Sequence, residues 1–254
     1  MGRRKRMVCL IGAFLIAVLL AGAGYQRSRT DWRSASWESV GLAPDPATTR
    51  EAVVQIYAAR TIGWRGMFGV HTWVAVKPAA AKEYTVYEVI GWRLRGGGSP
   101  VVIRTRTPDA RWFGSSPEVI AEKRGAEADA LVARIDQLAR AYPWAQEYSL
   151  WPGPNSNTFT AWIVRGVPEL KADLPPTAIG KDYTGDRLIA TAPSGAGFQL
   201  SVFGLLGLTA SGVEGLELNF LGLTFGINPF DPALKLPMVG RLGPDRTFPP
   251  TPLR

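Results

Sequence analysis

The sequence predicts an α+β fold, in which an antiparallel sheet packs on helices and is followed by a glycine-rich β extension. Residues 70–76, 83–94 and 101–105 are strand-like runs separated by turn-forming residues, which is typical of an antiparallel meander. Residues 118–142 carry apolar side chains at helical spacing. Residues 198–227 are apolar and punctuated by glycine, which indicates further strands.

Composition limits the possible functions. The chain has 254 residues, of which 46% are hydrophobic, so it can form one sizeable domain, alone or with an elaboration. Its net charge is +8, but residues 3–6 are all basic and the remaining charge is scattered, so we expect no nucleic-acid partner. Cys9 and His71 are the only cysteine and histidine, so we expect no disulfide, metal site or cofactor.

The N-terminus has the pattern of a membrane-targeting segment. Residues 7–24 form an uncharged apolar run behind the basic residues, as in a signal peptide or a signal anchor. The small residues 21–23 resemble a cleavage site, so a cleaved and an anchored form are both possible. We take residues 1–24 as an anchor that forms a membrane helix and residues 25–47 as a juxtamembrane linker. This interpretation places the domain on the extracytoplasmic side of a membrane.

The remainder of the chain divides at about residue 170. Residues 48–170 are predicted to form the α+β core, in which Thr48 or Thr49 begins a short helix that runs to residue 59. Residues 171–254 are predicted to form a loop-rich and glycine-rich β extension with a proline-rich tail.

The apolar segment 198–227 could be a second membrane span or a set of strands. The tetrad Leu-Gly-Leu-Thr occurs at residues 206–209 and again at 221–224, which suggests two related β segments. A span would place Glu214 and Glu217 near the bilayer centre at a cost of about 2–3 kcal/mol each. Buried strands or a membrane-surface patch therefore fit the segment better.

One short stretch has the composition of a deliberate helix start. Gly153 and Pro154 break the preceding structure, Asn155 or Ser156 can cap a first turn, and apolar residues recur at helical spacing from Phe159. Ser156 would then lie where free backbone N–H groups and the helix dipole converge, which suits a nucleophile or an anion contact. An ordinary cap would have the same sequence.

The single histidine lies on a predicted strand, and the strand register decides which polar residue can orient its ring. If Lys77 pairs with Glu83, then His71 is diagonal to Tyr87. A slip of one residue would instead place Glu88 directly opposite His71. The sequence leaves both registers open.

This order of elements resembles the circularly permuted papain-like hydrolases, the superfamily that includes the NlpC/P60 amidases. Residues 70–76 and 83–88 look like its histidine-bearing strand pair, and residues 155–159 look like its nucleophile-bearing helix start. The resemblance implies a permuted papain-like core in which Ser156 attacks an amide or ester acyl group and His71 accepts its proton. Four further residues would orient the ring or stabilise the oxyanion: Asn155, Asn157, Tyr87 and Glu88.

The sequence departs from that superfamily at the nucleophile. Ser156 stands where the papain-like families have cysteine, and a hydroxyl is much harder to ionise than a thiol. The replacement is compatible with a serine hydrolase and equally with a fold that has lost catalysis.

A second resemblance covers more of the chain. Residues 151–159, the leader segment and the glycine-rich end resemble a bacterial family, domain of unknown function 3750. The family implies no activity. It implies a bacterial cell-envelope protein, anchored in the inner membrane with its domain on the periplasmic or extracytoplasmic side.

Three hypotheses follow, and none predicts an oligomeric state. The first is a Ser156–His71 hydrolase or acyltransferase that acts on envelope peptides or lipids. The second is a catalytically inactive binding module of the same fold. The third is a structural envelope protein whose apolar end, residues 198–254, docks on a membrane or a partner.

Overall fold

A computed structural model of the protein describes residues 34–244. The anchor expected at residues 1–24 and the end of the proline-rich tail lie outside the described residues. Within 34–244, no helix has both the length and the apolar character needed to cross a bilayer.

The first sheet is antiparallel and has five strands in the order β4-β3-β2-β1-β5. Its strands are β1 (Val53–Arg60), β2 (Val70–Lys77), β3 (Thr85–Val89), β4 (Val101–Thr105) and β5 (Glu118–Arg124). Strand β2 lies at the centre, where it pairs with β1 and β3. Both faces of β2 are buried, because all eight of its residues are buried although their side chains alternate between the two faces. Side chains from this one strand therefore reach two separate interiors.

Two α-helices cover one face of the first sheet. They are α1 (Gly125–Arg140) and α2 (Ser156–Gly166). Leu131 and Ile135 of α1 and Phe159 and Ile163 of α2 enter one apolar core together with the sheet. This is the amphipathic packing expected of helices on a sheet. Short 3₁₀ turns occur at Gly63–Met67, Gly91–Gly96 and Pro168–Leu170.

Loops cover the opposite face of the first sheet. Ser39 and Ala110 form a β-bridge there, and the indole N–H of Trp73 donates to the Pro108 carbonyl at 2.7 Å. Tyr57 and Trp73 stack beneath these loops with ring centroids 5.5 Å apart. The first sheet thus separates a helix-covered core from a loop-covered core.

The second sheet has seven antiparallel strands, joined in sequence order from β6 to β12. They are β6 (Ile189–Ala190), β7 (Phe198–Val202), β8 (Leu206–Ser211), β9 (Gly215–Phe220), β10 (Leu223–Asn228), β11 (Ala233–Leu236) and β12 (Gly240–Leu242). Successive side chains of a strand point to opposite faces, so each face collects every second residue.

The polarity of the second sheet is the reverse of the usual one. Its inner face, towards the rest of the protein, consists of buried polar residues: Gln199, Ser201, Thr209, Glu217, Asn219, Thr224 and Lys235. Its outer face consists of apolar residues, most of them exposed: Ile189, Phe198, Leu200, Val202, Leu206, Leu208, Ala210, Leu216, Leu218, Phe220, Leu223, Phe225, Ile227, Leu234, Leu236 and Leu242. A half-buried antiparallel sheet normally turns its apolar face inward.

The α+β fold class predicted from the sequence, with its permuted papain-like core, is wrong. The described residues are mostly antiparallel sheet with only two α-helices. The C-terminal part forms a second sheet that has more strands than the first, so it is not an extension of a helical core.

Two errors in element type explain this outcome. The helix expected up to residue 59 is strand β1, whose residues Val53–Arg60 are nearly all buried. A strand buried on both faces has a continuous apolar run, which can be mistaken for one face of a helix. The helix expected over 118–142 is β5 followed by α1, and Gly125, at φ 66°, marks the change between them.

The start of α2 is fixed by a reciprocal cap. The side-chain oxygen of Asn155 accepts hydrogen bonds from the backbone N–H groups of Asn157 (2.9 Å) and Thr158 (3.3 Å). The Thr158 hydroxyl in turn accepts the backbone N–H of Asn155 at 3.1 Å, which completes a capping box. Gly180 lies against this cap, and a Cβ there would come within 2.4 Å of the Asn155 amide nitrogen. Asn155 is therefore the cap, and Ser156 is the first residue of the helix.

The cap gives a stability prediction with an internal control. Asn155→Ala should lower the free energy of unfolding by about 2–4 kcal/mol, because it removes the cap and leaves buried backbone groups unpaired. Ser156→Ala should change it by less than about 1 kcal/mol, since Ser156 is not the cap. Urea unfolding of both variants checks this. A larger loss in Ser156→Ala than in Asn155→Ala would contradict the assignment.

Candidate functional site

The two residues of the expected catalytic pair lie on opposite sides of the first sheet, separated by strand β2. The His71 ring stacks on Trp112 in the loop-covered core, with centroids 3.7 Å apart and planes 13° apart. The hydroxyl of the next residue, Thr72, donates to the side-chain oxygen of Asn157 at 3.0 Å and to the backbone carbonyl of Ser156 at 3.4 Å. Because neighbouring residues of a strand point in opposite directions, the sheet separates the imidazole from the start of α2. The structure does not bring His71 and Ser156 together.

His71 instead meets Glu88. The distance between His71 Nε2 and Glu88 Oε2 is 3.2 Å, and the Glu88 side chain is fully buried. Strand pairing matches Val74 with Tyr87, so Glu88 falls opposite Trp73 and diagonal to His71. This is neither of the two registers considered from the sequence.

Two arginines complete the cluster around Glu88. Arg104 Nη2 and Arg106 Nε donate to Glu88 Oε1 at 3.0 Å and 3.3 Å, and Arg106 Nη2 donates to Oε2 at 3.3 Å. Burial alone would raise the pKa of the Glu88 carboxyl, but the hydrogen bond from His71 and the charges of Arg106 and Arg104 lower it to about 2. The Glu88 carboxylate is therefore ionised, and each of its two oxygens is hydrogen-bonded.

The imidazole itself is enclosed. Burial lowers the pKa of His71 below its usual 6.5, so the ring is neutral near pH 7. Trp112 covers one side of it and Trp73 stacks at 5.6 Å. Trp92 and Phe113 pack around Trp112 at 6.0 Å and 5.2 Å. This arrangement fixes the ring as a structural link between the sheet and its covering loop.

The remaining expected site residues are committed to the fold. The Asn155 side-chain amide donates to the Leu150 and Ile179 carbonyls, at 3.2 Å and 3.1 Å. The Asn157 amide donates to the Val70 and Ile179 carbonyls, at 3.0 Å and 2.8 Å. Both amides tie α2 to the loop before Gly180, so neither is oriented towards an oxyanion.

Tyr87 also lies away from His71. Its hydroxyl donates to Asp136 Oδ1 of α1 at 3.3 Å, on the helix-covered face of the sheet. Of the six residues expected to form the site, only His71 and Glu88 contact one another through their side chains on the loop-covered face.

The most concentrated polar cluster lies elsewhere, on the inner face of the second sheet. Five charged side chains alternate in sign along it, in the order Asp173, Lys235, Glu217, Lys181 and Asp182. None of the five is more than 4% exposed. We call this row the ion chain.

The contacts of the ion chain are short. Lys235 Nζ lies 2.6 Å from Asp173 Oδ1 and 2.7 Å from Glu217 Oε1. Lys181 Nζ lies 2.6 Å from Glu217 Oε2 and 3.0 Å from Asp182 Oδ1. Burial alone would lower the pKa of Lys181, but Asp182 and Glu217 raise it above its usual value. Lys181 is therefore charged, and both lysines are paired with carboxylates.

Neutral side chains of the second sheet extend the ion chain by hydrogen bonds to Asp182. Gln199 and Asn219 donate to its two carboxylate oxygens at 2.6 Å and 2.8 Å, and the Ser201 hydroxyl donates to its backbone carbonyl at 2.6 Å. Thr224 adds a longer contact of 3.4 Å. One aspartate in the segment before the second sheet thus binds three of its strands, β7, β9 and β10.

The outer face of the second sheet forms continuous apolar rows across the strands. In one row Leu200, Leu208, Leu218 and Phe225 are directly paired. In another, Phe198, Ala210, Leu216 and Ile227 are paired, and the row continues into β11 and β12. No polar side chain interrupts β7–β10 on this face.

Sequence reasoning missed the ion chain and treated Glu217 only as an obstacle to a membrane span. A signal was present: β7 and β9 alternate strictly between apolar and polar residues, as in Phe-Gln-Leu-Ser-Val and Gly-Leu-Glu-Leu-Asn-Phe. Alternation fixes two unlike faces. It does not say which of them is buried.

The buried neutral His71 predicts a pH dependence of stability. The unfolded imidazole takes up a proton below pH 6.5, whereas the folded ring, with its lowered pKa, does not. The contribution of His71 to stability is therefore complete above pH 6.5 and is lost as the pH falls towards the lowered pKa. Between pH 7 and 5.5 the wild type should lose about 1 kcal/mol more than His71→Gln.

Urea unfolding at the two pH values measures this difference. His71 is the only histidine, so its own titration can be followed by NMR without an assignment problem. Equal losses in the wild type and the variant, or a folded-state pKa near 6.5, would contradict the buried neutral ring.

Comparison with known proteins gives one match. Neither a curated protein nor a solved structure matches the chain, and the resemblance to permuted papain-like hydrolases therefore finds no support there. The model of the family "Protein of unknown function (DUF3750)" matches residues 51–183, just over half of the sequence. These residues contain the first sheet, both helices and the Lys181–Asp182 end of the ion chain. The chain belongs to the DUF3750 family.

Proposed function

We propose that the protein is a membrane-associated protein of the bacterial cell envelope that lays the outer face of its second sheet on a lipid bilayer. In this proposal residues 1–24 anchor the chain in the inner membrane and residues 25–47 connect the anchor to the domain. The domain lies on the periplasmic or extracytoplasmic side. This proposal is the third hypothesis from the sequence, a structural envelope protein whose apolar end docks on a membrane.

One observation carries the proposal: the outer face has no polar side chain over β7–β10, although it is exposed. Its central residue Leu218 is 58% exposed, and its neighbour Phe220 is equally so. Monomeric soluble proteins rarely expose a continuous apolar patch of more than a few hundred Å². Seven strands span six inter-strand spacings of about 4.8 Å, and a strand of about five residues is about 17 Å long. The outer face therefore covers roughly 500 Å² in projection.

The chemistry of the face favours lipid over a protein partner. A protein–protein interface of standard size carries about ten hydrogen bonds, many of them from side chains. The side chains of the outer face can neither donate nor accept one. An acyl-chain surface demands no such groups, and membrane-surface elements bind in proportion to the apolar area they bury.

The sequence adds a reason for a membrane to be present. The basic residues 3–6 and the apolar run 7–24 have the pattern of a segment that delivers the chain to a bilayer. A domain tethered beside a membrane meets that surface at high effective concentration. A modest intrinsic affinity of the outer face for lipid would therefore be sufficient.

The hydrolase hypothesis has weaker support. It needs Ser156 and His71 in hydrogen-bond contact, and the two lie on opposite sides of β2. The neutral ring of His71 is already held by Glu88. We therefore propose no acyl-transfer step.

Lipid contact can be tested on the full chain after reconstitution into liposomes. In a Cys9→Ser background, Leu218→Cys provides a single labelling site at the centre of the outer face. A fluorophore there should be quenched by lipids that carry nitroxides on their acyl chains, because the proposal places it among those chains.

Glu127→Cys is the matched control. Glu127 lies on α1, its side chain is 75% exposed, and its helix packs on the first sheet. A label there should not be quenched. Absence of quenching at residue 218, together with disulfide cross-linking of unlabelled Leu218→Cys, would show instead that the outer face joins two copies of the chain.

A further inference from the structure

Two hairpin turns, which lie side by side where the strands of the second sheet end, have an unusual composition. The turn between β7 and β8 contains Phe203 (φ 51°) and Gly204 (φ 70°), and the turn between β9 and β10 contains Leu221 (φ 53°) and Gly222 (φ 80°). The β9–β10 loop has two residues and the β7–β8 loop has three, residues 203–205. In both, two consecutive positive φ angles give the geometry of a type I′ turn. We call these two turns the apolar edge.

The first position of such a turn normally holds Asn, Asp or Gly. These residues tolerate a positive φ, whereas a bulky side chain there is strained. Here the positions hold Phe203 and Leu221, and both are exposed, at 52% and 47%. Neither side chain gains full burial in return. Strain of this kind that packing does not repay points to a functional requirement for the side chain itself.

The apolar edge is rigidly supported from behind. The backbone N–H of Leu221 donates to the Leu205 carbonyl at 2.5 Å, which joins the two turns side by side. The indole N–H of Trp151 donates to the Leu221 carbonyl at 2.9 Å. A Cβ on Gly222 would approach that indole nitrogen at 3.0 Å, so the turn sits directly against Trp151.

Trp151 has the properties of an interfacial residue. Its side chain is half-exposed, and its one hydrogen-bond donor is used by the turn. Tryptophan is enriched where an apolar phase meets water, since its ring is apolar and its N–H is polar. The apolar edge is also continuous with the outer face, because Val202, Leu206 and Phe220 end the apolar rows beside it.

We propose that the apolar edge is the part of the domain that penetrates furthest into the acyl region of the bilayer, with Trp151 at the level of the headgroups. The inference rests on the proposed membrane function and adds an orientation to it. The second sheet is tilted, so that the turns at Phe203 and Leu221 lie deeper than the opposite end of the outer face at Leu216.

Depth-dependent quenching tests the tilt on the full chain. In the Cys9→Ser background, single labels at Leu221→Cys and Leu216→Cys are compared in liposomes with nitroxides placed shallow or deep on the acyl chains. The ratio of deep to shallow quenching should be at least about twofold higher at residue 221 than at residue 216. Equal ratios would overturn the tilt and leave the membrane function intact. No quenching at either position would overturn both.

Glycine variants separate a functional role of these side chains from a structural one. Phe203→Gly and Leu221→Gly remove strain, so each should raise the melting temperature of the full chain in detergent by about 2–4 °C. The same variants should lower the deep quenching of a label at Leu218→Cys. The control Leu216→Gly, in a strand, should lower the melting temperature instead. Unchanged quenching at residue 218 in Phe203→Gly and Leu221→Gly would contradict a penetrating role.

Discussion

The buried ion chain sets the orientation of the second sheet and ties it to the segment that follows α2. A buried charge is tolerated only with a close partner of opposite sign and with its remaining hydrogen bonds satisfied. Glu217 has both, because each of its carboxylate oxygens meets one lysine. The strands that carry Glu217 and Lys235 must therefore turn these residues inward. Strict alternation then leaves the apolar residues of the same strands outside, so polar pairing on one face determines the apolar surface on the other.

The ion chain also joins the two sheets into one unit. Asp173, Lys181 and Asp182 belong to the segment that follows α2, within the residues matched by the family model. Lys235 and Glu217 belong to the second sheet, which lies beyond that match. The cap of α2 holds the same segment from the other side, through Thr158 and the Gly180 carbonyl at 2.8 Å. The stretch that is most distinctive in the sequence thus positions the loop on which the second sheet is mounted.

Sequence patterns predicted local structure where β-branched or turn-forming residues mark it, and failed where a strand buried on both faces also contains helix-favouring residues. The strand at β2 and the break at Gly153 could be predicted from β-branched residues and turn chemistry. Strand β1 could not, because residues buried on both faces lose the period that distinguishes a strand from a helix. The contact between His71 and Glu88 depends on a register that turn length alone did not fix. The structure does not bring Ser156 and His71 together. Short motifs give the order of residues along the chain, whereas the face that a strand residue points to alternates with each position.

The proposed function requires the outer face of the second sheet to lie on lipid. Neutron reflectometry of the full chain in a supported bilayer can detect this contact, since it measures how far protein density extends from the headgroups. We expect a protein layer that overlaps the headgroup region with no hydrated gap. A domain layer separated from the headgroups by a water-filled gap, held off by the linker of residues 25–47, would contradict it.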